Sequence, residues 1–238
     1  MSEFDTSRVA QAIKTGTPLP AMPSGLSLDD AYALQLQTTA LINGSQPVGW
    51  KAGVTNSEMQ AAFGLSEPLI GSLYREGQLR SPASLELTED HLIECEVCVV
   101  VGPDWRPKYI APAIEFVRLT FALPSDLTPA NVVAANVGAD RFLLGDLQDF
   151  GAIADVPVTM MKDGEILLDL SSGIDRVTIE QRLEWMRKAG SLRRLVRSEV
   201  EDHLLLLGTM GQTIKAAPGR YRAAFGSIGT VEFEILQR

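Results

Sequence analysis

The chain has 238 residues, 45% of them hydrophobic and 21% charged, with a formal net charge of -9. That length suits one large domain or two small ones, and the composition supplies enough apolar material for a real core. The acidic balance argues against nonspecific nucleic-acid binding and against an anionic membrane surface, but not against an anionic substrate, because a bound cation reverses the local sign.

In chain order, residues 4–14 predict a short helix with Val9, Ala10 and Ile13 on one face. The N-terminal stretch has no apolar signal-peptide core, and no apolar run approaches the roughly 20 residues of a membrane span, so a soluble, cytoplasmic protein is expected. A Pro/Gly-rich link covers 15–27. Ser27 as N-cap, with Asp29 and Asp30 in the first turn, opens a stronger helix that stops near Asn43-Gly44. Residues 1–45 are therefore expected to form an N-terminal helical region, and 46–238 the core. Val48–Thr55 reads as a strand with glycines where backbone or ligand comes close. Lys51 within it, taken alone, reads as a snorkelling surface lysine. Ser57–Phe63 is a turn or two of helix, and 67–73 is a loop entering a short strand.

Leu85–Val101 predicts a hairpin or two strands, followed by a turn at 102–104 and a loop at 105–109. Ala111–Val117 places a carboxylate, Glu115, in an apolar setting. Pro124–Pro129 is loop, and Asn131–Leu144 reads as a strand-like run interrupted by Gly138. Val156–Leu170 is a hairpin turning at Lys162-Asp163-Gly164. Thr178 with Gln181 resembles a capping box and opens a helix to about Ala189. The basic stretch Arg187–Arg197 reads as a solvated helix face. Leu204–Leu207 is a buried strand, and the alternating tail a terminal hairpin with turns at Gly226 and Gly229. The class expected is α+β, mainly β.

The stretch Ile93–Val101 organises this reading. It is apolar and β-branched, so it predicts a buried strand. Glu94 and Glu96 lie two positions apart and share one face. Buried together they need a cation, a shared proton or a salt bridge, and Mg²⁺ or Mn²⁺ suits carboxylate oxygens. An edge strand with both glutamates in water is the alternative. Cys95 and Cys98, the two cysteines, sit three apart on opposite faces and are expected to be buried thiols rather than a redox or zinc pair.

The order of motifs resembles the 2-oxopent-4-enoate hydratase and 4-oxalocrotonate decarboxylase family of the fumarylacetoacetate-hydrolase-like superfamily. The likeness is carried by Ala31-Tyr32-Ala33-Leu34-Gln35, Gly49–Thr55, Gly71-Ser72-Leu73, Glu94-x-Glu96, Pro112-Ala113-Ile114-Glu115, Asn136–Ala139, Phe142–Gly145, Gly208-Thr209-Met210 and Ala224–Val231. It implies a rolled, mixed β-sandwich core with an N-terminal helical region. It implies a Mg²⁺ or Mn²⁺ site from Glu94, Glu96 and Glu115, with Lys51 and Thr209 as catalytic residues. Leu73, Asn136, Gly138 and Arg141 are implied as substrate-binding positions. The activity implied is hydration of a 2-hydroxypenta-2,4-dienoate-type acid to a 4-hydroxy-2-oxo acid in meta-cleavage degradation of aromatic compounds, by a homo-oligomer working beside a pathway partner enzyme. Decarboxylation of a 4-oxalocrotonate-like diacid is the alternative, with Arg118 and Arg141 as candidates for its distal carboxylate. A non-catalytic divergent subunit is the other. Hydrolysis of an acylpyruvate ranks lower, because the histidines are His91 and His203, outside the early helical region. The chain departs from the family where Phe116-Val117-Arg118-Leu119-Thr120 stands in place of its Ile-x-Asp-Ser-Arg, where Ala135 replaces an Asp, and in a shorter Glu96–Glu115 connection.

Overall fold

The computed structural model describes residues 5–43, 47–153, 155–192 and 202–237. The N-terminal third opens with helices α1 (Thr6–Thr15) and α2 (Leu28–Asn43), and α3 (Ser57–Phe63) follows strand β1 (Gly49–Gly53). Ser27 caps α2 as expected: its hydroxyl accepts from the Asp30 N–H at 3.2 Å and donates to the Asp30 carboxylate at 2.7 Å. The predicted stop at Gly44, and Arg193–Arg197 of the basic stretch, lie outside the described residues.

Beyond β1 the strands are β2 (Leu69–Leu73), β3 (Gln78–Arg80), β4 (Ala83–Leu85), β5 (His91–Val101), β6 (Pro107–Arg118), β7 (Ala139–Leu144) and β8 (Gln148–Asp149). Then come β9 (Asp155–Lys162), β10 (Glu165–Asp175), β11 (His203–Leu206), β12 (Ile214–Lys215), β13 (Gly219–Ala224) and β14 (Thr230–Ile235). A nine-stranded mixed sheet runs β2-β1-β11-β5-β6-β7-β3, with β12 beside β5 and β8 beside β6. The pairs β1/β11 and β3/β7 are parallel. A second sheet of five strands runs β10-β9-β13-β14-β4. This is an α+β fold, mainly β.

Strand alternation splits the apolar residues of the large sheet between two faces. Trp50, Ile70, Ile93, Cys95, Val97, Ile114, Phe116, Leu143 and Leu205 point to one face and join the main core with the helices and the five-stranded sheet. Leu73, Cys98, Ala111, Ala113, Phe142, Leu144 and Leu206 point to the other and pack on one another. Leu73 on β2 and Phe142 on β7 share this cluster although β1, β11, β5 and β6 lie between their strands in the sheet. The sheet is therefore rolled, with this second cluster inside it.

Three expectations are corrected and one open alternative is decided. Asn131–Ala134 is not strand: helix α4 (Pro129–Ala134) starts at Pro129, with the Thr128 hydroxyl accepting from the Asn131 N–H and the Asn131 side chain donating to the Asp126 carbonyl. Capping and burial against α2 override the β-branched pattern. Of the hairpin or two strands expected at 85–101, the structure has two strands, β4 leaving for the second sheet to pair with β14. The loop expected at 105–109 is already strand from Pro107, extended by its long pairing with β5. Helix α5 (Arg176–Leu192) is capped by Asp175, whose carboxylate accepts from the Thr178 N–H at 2.6 Å, rather than by Thr178 itself. The helix after Asn56 and the terminal hairpin stand as predicted, and the hairpin expected at 156–170 is present and runs over 155–175.

Candidate metal centre

Glu94 and Glu96 point into the roll from β5, and β6 runs antiparallel beside it with Glu115 in register with Glu94. Directly paired residues share a face, so the third carboxylate joins the first two. Glu96 and Glu115 are fully buried and Glu94 half-buried. One oxygen from each lies within 4.8 Å of the others. The edge-strand reading is thereby excluded, since β5 is central in the large sheet.

Lys51 enters the same face from β1. Far from being a surface residue, it is 2% exposed, and its Nζ stands 3.0 Å from Glu115 Oε1. The strand opposite makes room for it: a Cβ on Gly71 would lie 3.2 Å from Lys51 Cε and 2.9 Å from the Asn136 carbonyl oxygen. The backbone beside Lys51 is strained. Val54, Asn136 and Val137 all have φ between 54° and 56°, the left-handed region that β-branched side chains avoid.

Electrostatics follow from burial. Desolvation raises the Glu96 carboxyl well above its ordinary range, and repulsion from Glu115 and Glu94 adds to it; Lys51 and the Gly208 N–H oppose the shift. Glu94 is raised by burial and by Glu115, against Lys51 and a hydrogen bond from Thr209. Burial alone would lower the Lys51 ammonium, but the charges of Glu115, Glu94 and Glu96 outweigh it and raise its pKa. Three carboxylates against one lysine leave two negative charges unbalanced. Glu96 Oε1 and Glu115 Oε2 are buried with no hydrogen-bond partner among the described residues. Buried oxygens of this kind are costly unless something binds them. A hard divalent cation fits the donor set, the spacing and the missing charge.

Of the other residues singled out from sequence, Thr209 reaches the cluster through Glu94. Asn136 is buried and clamps β2, accepting from the Ser72 N–H at 2.8 Å and donating to the Ser72 carbonyl at 2.9 Å. Leu73 lies in the apolar cluster inside the roll. Gly138, with φ of 70°, lets Val117 pass: a Cβ there would lie 2.8 Å from Val117 Cγ1. Arg141 is a correction. It is in register with Phe116, on the face opposite Glu115, where its guanidinium lies 3.4 Å from the Glu86 carbonyl oxygen and 3.8 Å from Asp140. Arg118 is on that outer face too, paired with Asp90 at 3.1 Å. Cys95 and Cys98 point to opposite faces, both buried, with thiols pushed up to about 12 by desolvation. Two groups had no sequence signal: the Gly208 N–H, which donates to Glu96 Oε2 at 2.8 Å, and Arg182, which reaches the same turn from α5. The Gly208 donor is backbone, and nothing in its sequence neighbourhood sets Arg182 apart from a solvated helix arginine.

No family model matches the sequence. The 2-keto-4-pentenoate hydratase of Paraburkholderia xenovorans (strain LB400) is 25% identical over 251 aligned positions, covering 94% of this chain and 91% of the relative. That of Burkholderia vietnamiensis (strain G4 / LMG 22486) is 28% identical, covering 94% and 92%. The fold matches 4-oxalocrotonate decarboxylase from Pseudomonas putida G7, complexed with magnesium and adipate, with a TM-score of 0.76 and 18% identity over 97% of this chain and 95% of that one. Over nearly its whole length the chain is thus similar in sequence to 2-keto-4-pentenoate hydratases, and its fold is the one seen in 4-oxalocrotonate decarboxylase. No helix among the described residues is long and apolar enough to cross a membrane.

Proposed function

We propose that the protein is a divalent-metal-dependent lyase that hydrates a 2-hydroxypenta-2,4-dienoate-type acid to a 4-hydroxy-2-oxo acid, in meta-cleavage degradation of aromatic compounds. The observation that carries this reading is the inward carboxylate triad, Glu94, Glu96 and Glu115, with unpartnered buried oxygens and one lysine beside it. Those three residues would hold Mg²⁺ or Mn²⁺, which supplies a Lewis acid for the oxygens of a 2-oxo acid. Lys51 holds a proton at Nζ against Glu115 and is the group placed to pass it to or from the substrate carbon skeleton. Thr209 fixes the Glu94 carboxylate by its hydroxyl. The apolar lining of the roll excludes water from the buried side of the cluster.

Hydration is favoured over decarboxylation by what lies on the other face. A diacid brings a second carboxylate that needs a cation, yet Arg118 and Arg141 are turned away from the triad and engaged with Asp90 and Asp140. A monoacid makes no such demand. Assembly into homo-oligomers in the cytoplasm belongs to the same proposal, and sedimentation of the purified chain checks the assembly. The direct test is loss of dienoate absorbance on mixing with enzyme and Mg²⁺, paired with calorimetry of oxalate, a mimic of a 2-oxo acid enolate, with and without the metal. Oxalate binding that requires Mg²⁺, with turnover of the monoacid above that of the diacid, is the expected result. Absence of oxalate binding under any metal would remove the site; faster turnover of the diacid would move the assignment to decarboxylase.

A further inference from the structure

Helix α5 brings a second cation to the back of the triad. Arg182 donates from Nη1 to the Leu207 carbonyl oxygen at 2.8 Å and approaches that of Gly208 at 3.4 Å. The Leu207 carbonyl and the Gly208 N–H belong to one peptide unit. In a trans peptide they point in opposite directions. The carbonyl end meets Arg182, and the N–H end meets Glu96 Oε2 at 2.8 Å. One peptide plane is thus held between a guanidinium and a carboxylate, charge-assisted at both ends, so each bond polarises the other. Gly208 can occupy this place because it has φ of 99° and no Cβ, which would otherwise lie 2.3 Å from Thr55 Cγ2. The flanking residues follow β5, with the Leu207 N–H donating to the Val97 carbonyl at 3.3 Å and the Met210 N–H to that of Cys95 at 2.8 Å. Buried Leu183 and Met186 seat α5, and Trp185 Nε1 donates to Glu67 at 3.3 Å.

We propose that Arg182 is a positioning residue for the divalent-ion site: it locks the Leu207–Gly208 peptide so that Glu96 Oε2 is held by the Gly208 N–H and Oε1 is left to the ion. The proposal rests on the reading of the triad as a metal centre. Without Arg182 the peptide plane is free to tilt, Glu96 loses its fixed donor, and the ligand oxygen loses its orientation. This is the support that outer partners give to metal ligands, whose removal typically weakens binding 10–100-fold.

The test uses the full chain with Arg182→Ala, Arg182→Lys and, as a control on the same helix, exposed Arg187→Ala. Two readouts are taken: hydrogen exchange at the Gly208 amide in metal-free protein, and Mn²⁺ affinity by calorimetry with the electron paramagnetic resonance line shape of the bound ion. Arg182→Ala should expose the Gly208 amide to faster exchange and weaken Mn²⁺ about tenfold with a broadened spectrum, Arg182→Lys should recover part of both, and Arg187→Ala should change neither. Wild-type exchange at Gly208 and wild-type Mn²⁺ affinity in both Arg182 variants would overturn the proposal. If Arg182→Ala fails to fold, Arg182→Lys decides: a Gly208 amide and Mn²⁺ affinity indistinguishable from wild type overturn it, and weakening of both supports it. Failure of the wild-type protein to bind Mn²⁺ overturns the metal-centre reading first, and the role of Arg182 with it.

Discussion

The two faces of the large sheet each carry a polar cluster, and the clusters are built on opposite principles. On the outer face His91 Nε2 lies 2.8 Å from Asp140, Arg118 pairs with Asp90, and Thr88 and Thr120 donate to Asp90. Acids and bases alternate there and the hydrogen-bonding groups are used up by one another. On the inner face three carboxylates meet one lysine, and two oxygens are left over. A closed network ties strands together; an open one with surplus charge keeps its capacity for something that is not protein. The two clusters occupy the same two strands, β5 and β6, a few residues apart, so burial alone does not distinguish a structural from a functional polar group. Between these two clusters, completeness of partnering does.

Substitutions should separate the faces sharply. The largest effect is expected on the inner face: Glu96→Gln or Glu115→Gln should weaken Mn²⁺ binding by about 100-fold or more, roughly 2.7 kcal/mol. Glu96→Gln should also raise thermal stability of the metal-free protein because a buried repelling charge is gone, whereas Glu115→Gln removes the partner of Lys51 and should lower it. Calorimetry and a melting curve measure both; unchanged metal affinity would make the triad a structural curiosity. Lys51→Met splits the roles within that face. Turnover should fall by about 10²–10⁴-fold while Mn²⁺ binds as well as or better than in wild type, since a competing cation has been removed. A variant that loses the metal instead would make Lys51 a scaffold residue.

Acidity sharpens the contrast further, because the two faces respond with opposite sign. The Glu96 and Glu94 carboxyls are raised by burial and mutual repulsion, so at low pH they hold protons that a metal must displace. Mn²⁺ affinity should therefore climb with pH above the ordinary carboxylate range and then level off, with protons released on binding; a flat profile would contradict the coupling. On the outer face Asp90 is held down to about 2, hydrogen bonds from Thr120 and Thr88 and the charge of Arg118 outweighing the cost of its burial. A lowered carboxyl contributes stability above its unfolded value that is lost as pH falls through the folded one. Asp90→Asn should be the smallest effect, under about 1 kcal/mol less stable at neutral pH once solvent screening of this partly exposed carboxylate is allowed for, converging on wild type as pH drops from about 4 through 2. Denaturant melts at several pH values give that curve, and a gap undiminished between about pH 4 and pH 2 would show that the Asp90 network acts through packing instead.

Much of the inner face is legible in the residues. Period-two spacing puts Glu94 and Glu96 on one side, and motif order adds Glu115 and Lys51. Periodicity does not show that Lys51 is buried, because a lone charge between Trp50 and Ala52 has the same pattern on a surface strand; only the pairing through β11 brings it to Glu115. Arg141 departs from its implied place for a related reason: the motif spacing is sound, but the register with Phe116 turns the side chain outward. Asn131–Ala134 defies its strand-like pattern because a short helix of β-branched residues is decided by its cap and its neighbours rather than its propensity. The paths of β4 into the second sheet and of Arg182 to a backbone carbonyl are matters of long-range geometry that leave no local trace.

The insertion of β11 between β1 and β5 has a consequence in time. Lys51 and the triad are synthesised in the first half of the chain, yet they cannot face one another until residues 203–206 have taken their place between them, and Glu96 lacks its backbone donor until Gly208 follows. A nascent chain can hold every ligand and still own no binding site. On the proposed metal-centre reading, capture of an ion would be a late event that reports completion of the fold, and each ion bound at that point would withdraw finished molecules from the unfolding equilibrium.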